Sequence, residues 1–438
     1  MTTNVTRQST PKPGAPPEGL PRVLVRGAST YGEHVARYGP LPDLHKRSVR
    51  AAFIDMVDRS ALRGRGGAGF PTGRKLRAVA DGGRGAVVVA NGAEGEPASR
   101  KDSLLMSAVP HLVIDGAVIA AHAVRAREAF VVVDRADTIA SDALTAAIGQ
   151  RTVMEPGSPT LKLVRIPSRY VAGEESATVN FLNGGPAKPT FVPPRPYERG
   201  VHGRPTLVQN VETLANLALI ARYGAEWYHA VGTPDEPGGV LVTLSGAVAH
   251  PGVYEFALGT PMATILESAG KTAEPISALL VGGYFGSWLD VAALPELALT
   301  HAGLRQAGGT LGCGVIHAFP SGRCGVIESA RIVRYLAEET AGQCGPCVNG
   351  LGAIAGGVEA LARGKVAKGT RDDVTRWLGD VAQRGACHLP DAAVGFVRSA
   401  FEVFADEFAR HERGSCTATD ATPSLPIPNP ASRDWSWR

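Results

Sequence analysis

The pattern of hydrophobic and polar positions divides the chain into parts of different character. Between residues 22 and 238, segments with apolar residues at helical spacing alternate with short β-branched runs. The clearest runs are Ala86–Ala90, Ala129–Val133 and Leu161–Val164. This alternation predicts an α/β domain whose helices pack around a sheet.

Residues 239–325 show a different pattern of short strands and turns, with one helix over Pro261–Ala269 that stops at Gly270. This pattern predicts a small α+β module. Residues 326–413 are helical in pattern throughout, and four helices of this length can form a bundle. The four predicted helices are Ile327–Glu339, Gly350–Arg363, Asp372–Ala382 and Ala392–Arg413.

Composition and charge narrow the class of protein. The 438 residues are 44% hydrophobic and 20% charged, which is typical of a globular protein with two or three domains. A net charge of +4 without a basic block gives no indication of nucleic-acid binding. No run of about 18 apolar residues is present, so we expect no membrane insertion. Residues 1–21 and 414–438 are polar and contain proline, which predicts two disordered tails and no signal peptide.

Thirteen residues, Arg63–Lys75, carry the most informative local pattern. Five glycines lie within ten residues and a lysine follows at once. Exposed backbone N–H groups beside a cation suit a phosphate or pyrophosphate. Gly64, Gly66 and Gly69 match G-x-G-x-x-G, but the preceding residues 45–60 have helical spacing, whereas a dinucleotide-binding turn follows a strand. The alternative is a glycine-rich surface loop.

The cysteines carry a second signal. Six cysteines in a chain without a secretion signal predict a cytoplasmic protein in which some of them bind metal. Cys344 and Cys347 form a C-x-x-C motif at a predicted helix start, and Cys387 follows forty positions later. Iron–sulfur ligation, a zinc site that includes His388, and unliganded buried thiols all remain open. A redox dithiol is disfavoured. Such a dithiol follows a strand in a βαβ unit, whereas this motif lies in a region of helical pattern.

Three polar turns complete the candidate chemistry. Residues 91–97 directly follow the first predicted strand, and the carboxyl end of a strand is where α/β proteins bind ligands. Residues 173–176 and 209–213 place acids and amides at predicted helix starts, where they could equally act as helix caps. Each turn is a weak indication by itself.

Taken together and in this order, the motifs resemble one family, the NADH-oxidising flavoprotein subunit of bacterial respiratory complex I, with relatives in NAD-reducing hydrogenases and formate dehydrogenases. The resemblance extends over about residues 23–412. The matching segments are LRGRGGAGFPTGRK (62–75), NGAEGEPASRKD (91–102), RYVAGEESA (169–177), GRPTLVQNVETLAN (203–216), SGAVAHPGVYE (245–255), and CGPC (344–347) with Cys387.

The resemblance implies a fold and an activity. Residues 22–238 would form an α/β FMN-binding domain, residues 239–325 a ubiquitin-like β-grasp module of the soluble-ligand-binding type, and residues 326–413 a four-helix bundle with a [4Fe–4S] cluster. NADH would pass a hydride to FMN, and single electrons would go on to the cluster and a partner. That partner would be a thioredoxin-like [2Fe–2S] subunit or a ferredoxin. The protein would be cytoplasmic or peripheral to a membrane complex.

The resemblance also implies site residues. Glu96 would be the catalytic residue, and it matches, with Phe70, positions that touch the nicotinamide nucleotide. Three cysteines would ligate the cluster: Cys344, Cys347 and Cys387. The cofactor-binding residues would be Gly64, Arg65, Gly66, Gly67, Phe70, Lys75, Asn91, Glu94, Tyr170, Gly173, Glu174, Glu175, Asn210 and Thr213.

The chain departs from the family pattern at the cluster. The first cysteine of the family's E-S-C-G-x-C-x-P-C-R segment is Ala341 here. Three thiolates could hold a [3Fe–4S] cluster, or a [4Fe–4S] cluster whose fourth iron takes water, a residue of a partner, or His388, Cys313 or Cys324. The cluster could also be lost. We expect a retained three-cysteine cluster.

The nucleotide pocket departs as well. Ala93 and Ala78 stand where the family has an aspartate and an aromatic residue, Arg195 where it has a stacking phenylalanine, and Gln209 where it has an asparagine. An aromatic stack on a base is worth about 1–3 kcal/mol, so the affinity for NADH would fall. The alternative function is therefore an FMN/iron–sulfur electron-transfer protein with a degraded NADH site and a protein donor such as ferredoxin.

A third hypothesis is a scaffold that keeps the fold and little redox chemistry. It is disfavoured because the residues with the most specific chemistry are intact. These residues are Lys75, Glu94, Glu174 and Glu175.

Overall fold

The computed structural model describes residues 19–25, 30–83, 85–270, 274–364, 366–420, 422–431 and 433–438. The expected N-terminal tail lies almost entirely outside these residues. Within them, the helices are α1 Tyr31–Tyr38, α2 Arg47–Arg59, α3 Thr72–Asp81, α4 Lys101–Ala108, α5 Pro110–Val124, α6 Thr138–Met154, α7 Glu175–Leu182, α8 Val211–His229, α9 Met262–Ser268, α10 His301–Gln306, α11 Gly325–Glu338, α12 Gly352–Ala362, α13 Thr370–Val381, α14 Leu389–Val403 and α15 Ala405–Glu412. The strands are β1 Val87–Gly92, β2 Glu128–Asp134, β3 Thr160–Ile166, β4 Thr206–Asn210, β5 Gly239–Gly246, β6 Gly252–Ala257, β7 Ile276–Val281, β8 Ser287–Asp290 and β9 Val315–Pro320.

The first sheet has the order β3-β2-β1-β4, and all its strands are parallel. The central strands β1 and β2 are nearly continuous runs of buried valine and alanine, as expected when helices cover both faces of a parallel sheet. The three β-branched runs identified in the sequence are β1, β2 and β3. The prediction of an α/β region around a sheet is therefore confirmed, and the structure shows that the sheet is parallel.

Helix α5 lies at the centre of the largest hydrophobic core and is buried on all sides. It packs on α8 so closely that a Cβ on Gly116 would lie 2.1 Å from the carbonyl oxygen of Leu214. Its one acid, Asp115, is buried and accepts a 2.6 Å hydrogen bond from His34. Burial by itself would raise the pKa of Asp115, but His34, Arg222 and Arg151 hold it well below its ordinary value.

Among the described residues, no single helix is both long and apolar enough to cross a membrane. The consecutive helices α4 and α5 reach that limit only when taken together, and they are bent by 95° relative to each other.

The second sheet is mixed and has the order β6-β5-β9-β7-β8. Strands β5 and β9, which are the first and last of this sheet in the sequence, form a parallel pair. The other neighbouring strands are antiparallel. Helix α9 packs on this sheet around a separate core that includes Met262 and Ile265. The predicted short strands and the predicted helix over Pro261–Ala269 agree with this arrangement, and the structure adds a second short helix, α10, that was not predicted.

The C-terminal part is helical, as predicted, but its helices are divided differently. The segment Ala392–Arg413 is two helices, α14 and α15, because the chain leaves helical geometry at Phe404. The C-x-x-C motif does not open a regular α-helix; Pro346–Leu351 forms one wider π-type turn before α12.

The expectation of a disordered tail over residues 414–438 is wrong. Leu425 is 2% exposed, and its backbone N–H donates a 2.7 Å hydrogen bond to Glu328. Trp437 lies under the guanidinium of Arg169 at 4.1 Å, and its carbonyl accepts a 2.7 Å bond from the N–H of Ala187. The prediction failed because the average composition of this segment is polar and rich in proline, although a few large apolar and aromatic residues in it pack onto the rest of the protein.

We predict that Gly116→Ala destabilises the protein by about 1–3 kcal/mol, because the added methyl group collides with the backbone of α8. The measurement is the free energy of unfolding in urea. The matched control is Gly149→Ala on α6, where a Cβ would meet nothing within 4 Å. The control should stabilise the protein by about 0.5–1 kcal/mol. Equal effects of the two changes would refute the close packing of α5 on α8.

Candidate functional site

The site lies where β1 and β4 end side by side. From β1 the chain proceeds to β2 and β3 on one side, whereas β4 lies on the other, so the strand order switches between β1 and β4. The crevice at such a switch point is where open α/β sheets bind ligands. Asn91 and Asn210 are direct partners in the register of these two strands, which places both predicted residues at the crevice.

The glycine-rich segment forms a closed loop beside this crevice. The N–H of Gly64 donates to the carbonyl of Phe70 at 2.9 Å, and α2 precedes the loop, in agreement with the helix predicted there. Gly67 and Gly69 have φ values of 113° and 61°, which side chains rarely adopt. A Cβ on Gly66 would lie 3.3 Å from that of Asn210, so the loop packs against the end of β4.

Arg65 and Thr213 connect this loop to its surroundings. The backbone N–H of Arg65 donates a 2.8 Å bond to the hydroxyl of Thr213. The Arg65 side chain is 3% exposed and donates to the hydroxyl of Tyr228 at 3.1 Å and the carbonyl of Gly239 at 2.8 Å. Both predicted residues therefore position the loop through contacts that lie within the protein.

Lys75 pairs with the acidic turn at the start of α7. The Lys75 ammonium is 2.9 Å from the carboxylate of Glu175, and both side chains are partly exposed. Glu174 caps α7 by accepting hydrogen bonds from Ser176 and Ala177. Phe70 is 55% exposed, so its ring lies free of the core on the glycine loop.

The turn after β1 is held by its own polar side chains. Asn91 donates a 2.8 Å hydrogen bond to the carbonyl of Gly173, where an added Cβ would lie 2.9 Å from the carbonyl oxygen of Ala93. Glu94 accepts bonds from the backbone N–H groups of Asp102 and Ser103 at the start of α4. Burial, with the neighbouring Asp102, raises the pKa of Glu94.

Sequence reasoning missed a buried ion network behind this turn. The ammonium of Lys101 lies 2.7 Å from Asp102 and 2.9 Å from Glu212, and Lys101 is 1% exposed. Asp102 also accepts a 2.7 Å bond from the amide of Asn210. Burial lowers the pKa of Lys101, but the two carboxylates outweigh it, and the pKa lies above its ordinary value. Lys101 and Asp102 lie inside a matched motif, which was the available signal.

Glu96 is buried between the two sheets. One carboxylate oxygen accepts 2.7 Å bonds from the hydroxyl of Tyr170 and from the backbone N–H of Tyr284, and the other accepts from the N–H of Ala98. Burial raises the pKa of Glu96 to about 7, although these three hydrogen bonds oppose the shift. Glu96 can therefore hold or release a proton near neutral pH.

The three predicted cluster cysteines lie together at the C-terminal end of α11. The neighbouring thiols of Cys344 and Cys387 act on Cys347, which is 5% exposed, and burial with these neighbours raises its pKa to about 12. Buried thiols at this pKa stay protonated unless a metal replaces the proton. Ala341, in the place of the family's first cysteine, is buried, and its carbonyl accepts a 2.7 Å bond from Lys188.

The crevice and the cysteines are joined by one segment, residues 169–175. The backbone N–H of Tyr170 and the guanidinium of Arg169 both donate to Glu339, beside the cysteine motif, at 3.0 and 2.8 Å. The carboxylate of Glu174 acts electrostatically on Cys387. The cofactor-site residues and the cysteines therefore lie on either side of a single turn.

The structure places the three residues considered as a fourth cluster ligand at three different positions. Cys324 lies at the opposite end of α11, so it is not a ligand of this group. Cys313 lies beside Glu96. Burial, together with the charge of Glu96, raises the pKa of the Cys313 thiol. His388 is exposed at the start of α14, directly after Cys387.

Comparison with known protein families agrees with this arrangement. Residues 57–219 match the family model described as Nuo51 FMN-binding domain. Residues 328–411 match the NADH-ubiquinone oxidoreductase-F iron-sulfur binding region. The two matches define a flavoprotein with an iron–sulfur region, and the predicted FMN and iron–sulfur cofactors are confirmed at this level.

Curated relatives identify the family. The chain is 32% identical over 395 residues to the F subunit of NADH-quinone oxidoreductase in Mycobacterium tuberculosis (strain ATCC 25618 / H37Rv), covering 86% of this chain and 88% of that protein. It is 33% identical over 372 residues to the corresponding protein of Escherichia coli (strain K12), covering 81% and 83%. The chain belongs to the family of NADH-quinone oxidoreductase F subunits, and the resemblance read from the six motifs is confirmed.

A solved structure extends the likeness to the fold. The crystal structure of an NAD+-reducing [NiFe]-hydrogenase in the H2-reduced state matches with a TM-score of 0.78 and 30% identity. The match covers 84% of this chain but 63% of the hydrogenase chain, so this protein spans less than two thirds of that chain.

The raised pKa of Glu96 predicts a pH-dependent stability. The folded protein holds a proton at Glu96 up to about pH 7, whereas an unfolded glutamate releases it near pH 4.5. Glu96 therefore opposes folding increasingly as the pH rises through this window, by up to about 3 kcal/mol. Glu96→Gln cannot ionise, so its stability relative to the wild type should rise between pH 5 and pH 8.

The measurement is the free energy of unfolding of both proteins in urea at these two pH values. Glu226→Gln, at an exposed position, is the control and should change little between them. A constant difference between the wild type and Glu96→Gln would contradict the raised pKa.

Proposed function

We propose that this chain is the NADH-oxidising subunit of a redox complex, which accepts a hydride from NADH at FMN and delivers single electrons to an iron–sulfur cluster and a partner. The observation that carries the proposal is the segment 169–175. It contacts Glu96 at the crevice through the Tyr170 hydroxyl and Glu339, beside the cysteine motif, through the Tyr170 backbone, and its Glu174 acts electrostatically on Cys387. Donor and acceptor sites joined by one segment suit electron transfer.

The residues at the crevice fit FMN. Lys75 and the N–H groups around Gly66 and Gly67 would bind its phosphate, because charge-assisted donors stabilise phosphate oxygens. Gln209 has a buried amide nitrogen without a partner among the described residues, beside Asn210, and would donate to the bound flavin. When bound, FMN supplies the exchange between hydride and single-electron chemistry.

The remaining crevice residues fit the same ligand. Asn91, Glu94 and Asn210 would orient it, because their side chains are already fixed, Asn91 by the carbonyl of Gly173 and the other two by Asp102. Tyr170, Gly173, Glu174 and Glu175 would line its second side. Gly64, Arg65 and Thr213 would hold the loop in place.

Glu96 and Phe70 would meet the nicotinamide nucleotide. Glu96 hydrogen-bonds Tyr170 and Tyr284 and holds its proton at a pKa of about 7. Its role would be to orient the nicotinamide and adjust the local charge. The exposed ring of Phe70 would stack on the nucleotide, as would Phe191, which is 78% exposed next to the altered proline-rich segment.

Cys344, Cys347 and Cys387 would ligate the cluster, either as [3Fe–4S] or as [4Fe–4S] with a fourth ligand from outside this set. The support for this is that the Cys344 and Cys387 thiols both act electrostatically on Cys347, and that this region matches an iron-sulfur binding family model. Val348, directly after the motif, is 57% exposed. This apolar residue would meet the redox partner, a thioredoxin-like [2Fe–2S] subunit or a ferredoxin.

We further propose that residues 22–238, 239–325 and 326–413 are three domains, the second a ubiquitin-like β-grasp module and the third a helical bundle. Support for the β-grasp comes from the strand order, with the first and last strands as a central parallel pair and α9 packed on the sheet. The helices α11 to α15 pack around one core, and residues of β7, β8 and β9 in the second sheet close its other side.

The test follows the flavin absorbance and the EPR spectrum of the anaerobic, reconstituted protein while NADH and then dithionite are added. We expect NADH to bleach the flavin and an iron–sulfur signal to appear. Bleaching by dithionite alone would contradict NADH as the donor and favour a protein donor such as ferredoxin, as Ala93, Ala78 and Arg195 allow.

Lys75→Ala should weaken FMN binding by about 10–100-fold, since a hydrogen bond to a charged group is worth about 1.5–3 kcal/mol. The substitution also removes the ammonium that lies 2.9 Å from Glu175, and the unpaired Glu175 carboxylate would then repel the phosphate. The measurement is FMN fluorescence in an equilibrium titration. Lys75→Arg should retain most of the affinity, and Arg74→Ala, an exposed neighbour, should retain all of it. Full occupancy in Lys75→Ala would exclude the phosphate role.

A further inference from the structure

A second group of metal-ligating side chains lies at the opposite end of α11 from the cysteine motif. It consists of Cys324, Glu407, His411 and Cys416, and one ligand atom of each lies within 4.8 Å of all the others. We propose that these four residues bind one structural Zn²⁺ ion. The inference does not rest on the proposed function.

The spacing of the four atoms suits a tetrahedral ion. Ligand bonds of about 2.0–2.3 Å around tetrahedral zinc separate neighbouring ligand atoms by about 3.3–3.8 Å. The Cys324 sulfur lies 3.2 Å from Nε2 of His411 and 3.8 Å from Oε1 of Glu407. Nε2 of His411 lies 3.5 Å from the same oxygen of Glu407. Two thiolates, an imidazole and a carboxylate form a ligand set that zinc favours among the common divalent ions.

Neighbouring groups already hold these ligands in a binding orientation. The other ring nitrogen of His411, Nδ1, lies 2.8 Å from the carbonyl of Ala362, which makes it the donor and leaves Nε2 as the free lone pair. Glu407 accepts bonds from the N–H and the hydroxyl of Thr417 at 3.1 and 2.6 Å. Such support to metal-bound histidine and carboxylate groups is usual in zinc sites.

The group is separate from the predicted cluster site. Cys324 precedes α11, and the C-x-x-C motif follows it. The 14 residues of this helix place its ends about 21 Å apart. Two metal centres can therefore form independently at its two ends.

The sequence positions indicate what the ion would do. Cys324 begins α11, Glu407 and His411 lie on α15, and Cys416 belongs to the C-terminal segment that packs back onto the protein. Zinc would join all three segments. Cys416 is exposed while Cys324 is buried, so the ion has a path of entry and displaces two thiol protons as it binds.

The test measures zinc and iron in the full-length protein, purified anaerobically with a thiol-free reductant and dialysed against a weak chelator. The wild type should retain about one zinc ion per chain. Cys416→Ser, at an exposed position that leaves folding intact, should bind zinc about 100-fold more weakly or worse and keep its iron. Cys347→Ser is the matched control and should lose iron and keep zinc.

A second readout uses Co²⁺ in the Cys347→Ser background, where no cluster absorbs. Tetrahedral cobalt bound by thiolates absorbs strongly in the visible range, and this band should disappear in the Cys324→Ser double variant. Addition of zinc should also raise the Tm of Cys347→Ser and leave that of the Cys416→Ser double variant unchanged.

Four results would each overturn the proposal. The first two concern the wild type: it contains no zinc although its thiols are reduced, or its non-reducing mass spectrum shows a disulfide between Cys324 and Cys416. The other two concern the variants: Cys416→Ser retains as much zinc as the wild type, or Cys347→Ser loses zinc together with iron. The last result would place the zinc in the C-x-x-C motif.

Discussion

The site depends on one buried ammonium group. Lys101 lies between Asp102 and Glu212, and the two carboxylates carry its contacts outward. Asp102 holds the amide of Asn210 at the end of β4, and Glu212 holds the backbone N–H of Leu241 in the second sheet. Charges out of water are tolerated only when they are paired and hydrogen-bonded, so removal of one member would leave the others uncompensated. The crevice, α4 and the second sheet are therefore fixed relative to one another by the same network.

The short segment 169–175 connects the crevice to the cysteine region. Tyr170 hydrogen-bonds Glu96 with its side chain and Glu339 with its backbone, so one residue contacts the crevice and the start of the cysteine region. Arg169 pairs with Glu339 and lies over Trp437, which adds the C-terminal segment to the same junction. Glu96, whose pKa burial raises to about 7, lies at this junction, where the backbone N–H of Tyr284 beside the second sheet donates to it.

Much of the fold and the main motifs were predictable from local sequence. Parallel strands buried on both faces are nearly continuous runs of valine and alanine, and the runs at β1 and β2 were found for that reason, whereas β3 is a half-buried edge strand found from its β-branched and apolar residues. The helix before the glycine loop and the helical C-terminal part follow from periodicity. The six spaced motifs identified the family, which the comparisons confirm. Composition misled for residues 414–438, because a few packed residues such as Leu425 and Trp437 do not change an average.

Sequence by itself therefore determined most of the element types, the family and the motifs that carry the candidate site residues. Tertiary structure decided which of them meet. The register of β1 and β4 places Asn91 beside Asn210, although the two residues lie far apart in the sequence. The C-terminal segment packs back onto the protein and brings Cys416 to Cys324. Local patterns cannot report such pairs, because hydrophobic periodicity fixes which face of an element is buried and not which element covers it. Burial also sets the pKa of Glu96, and burial is a property of the assembled layers alone.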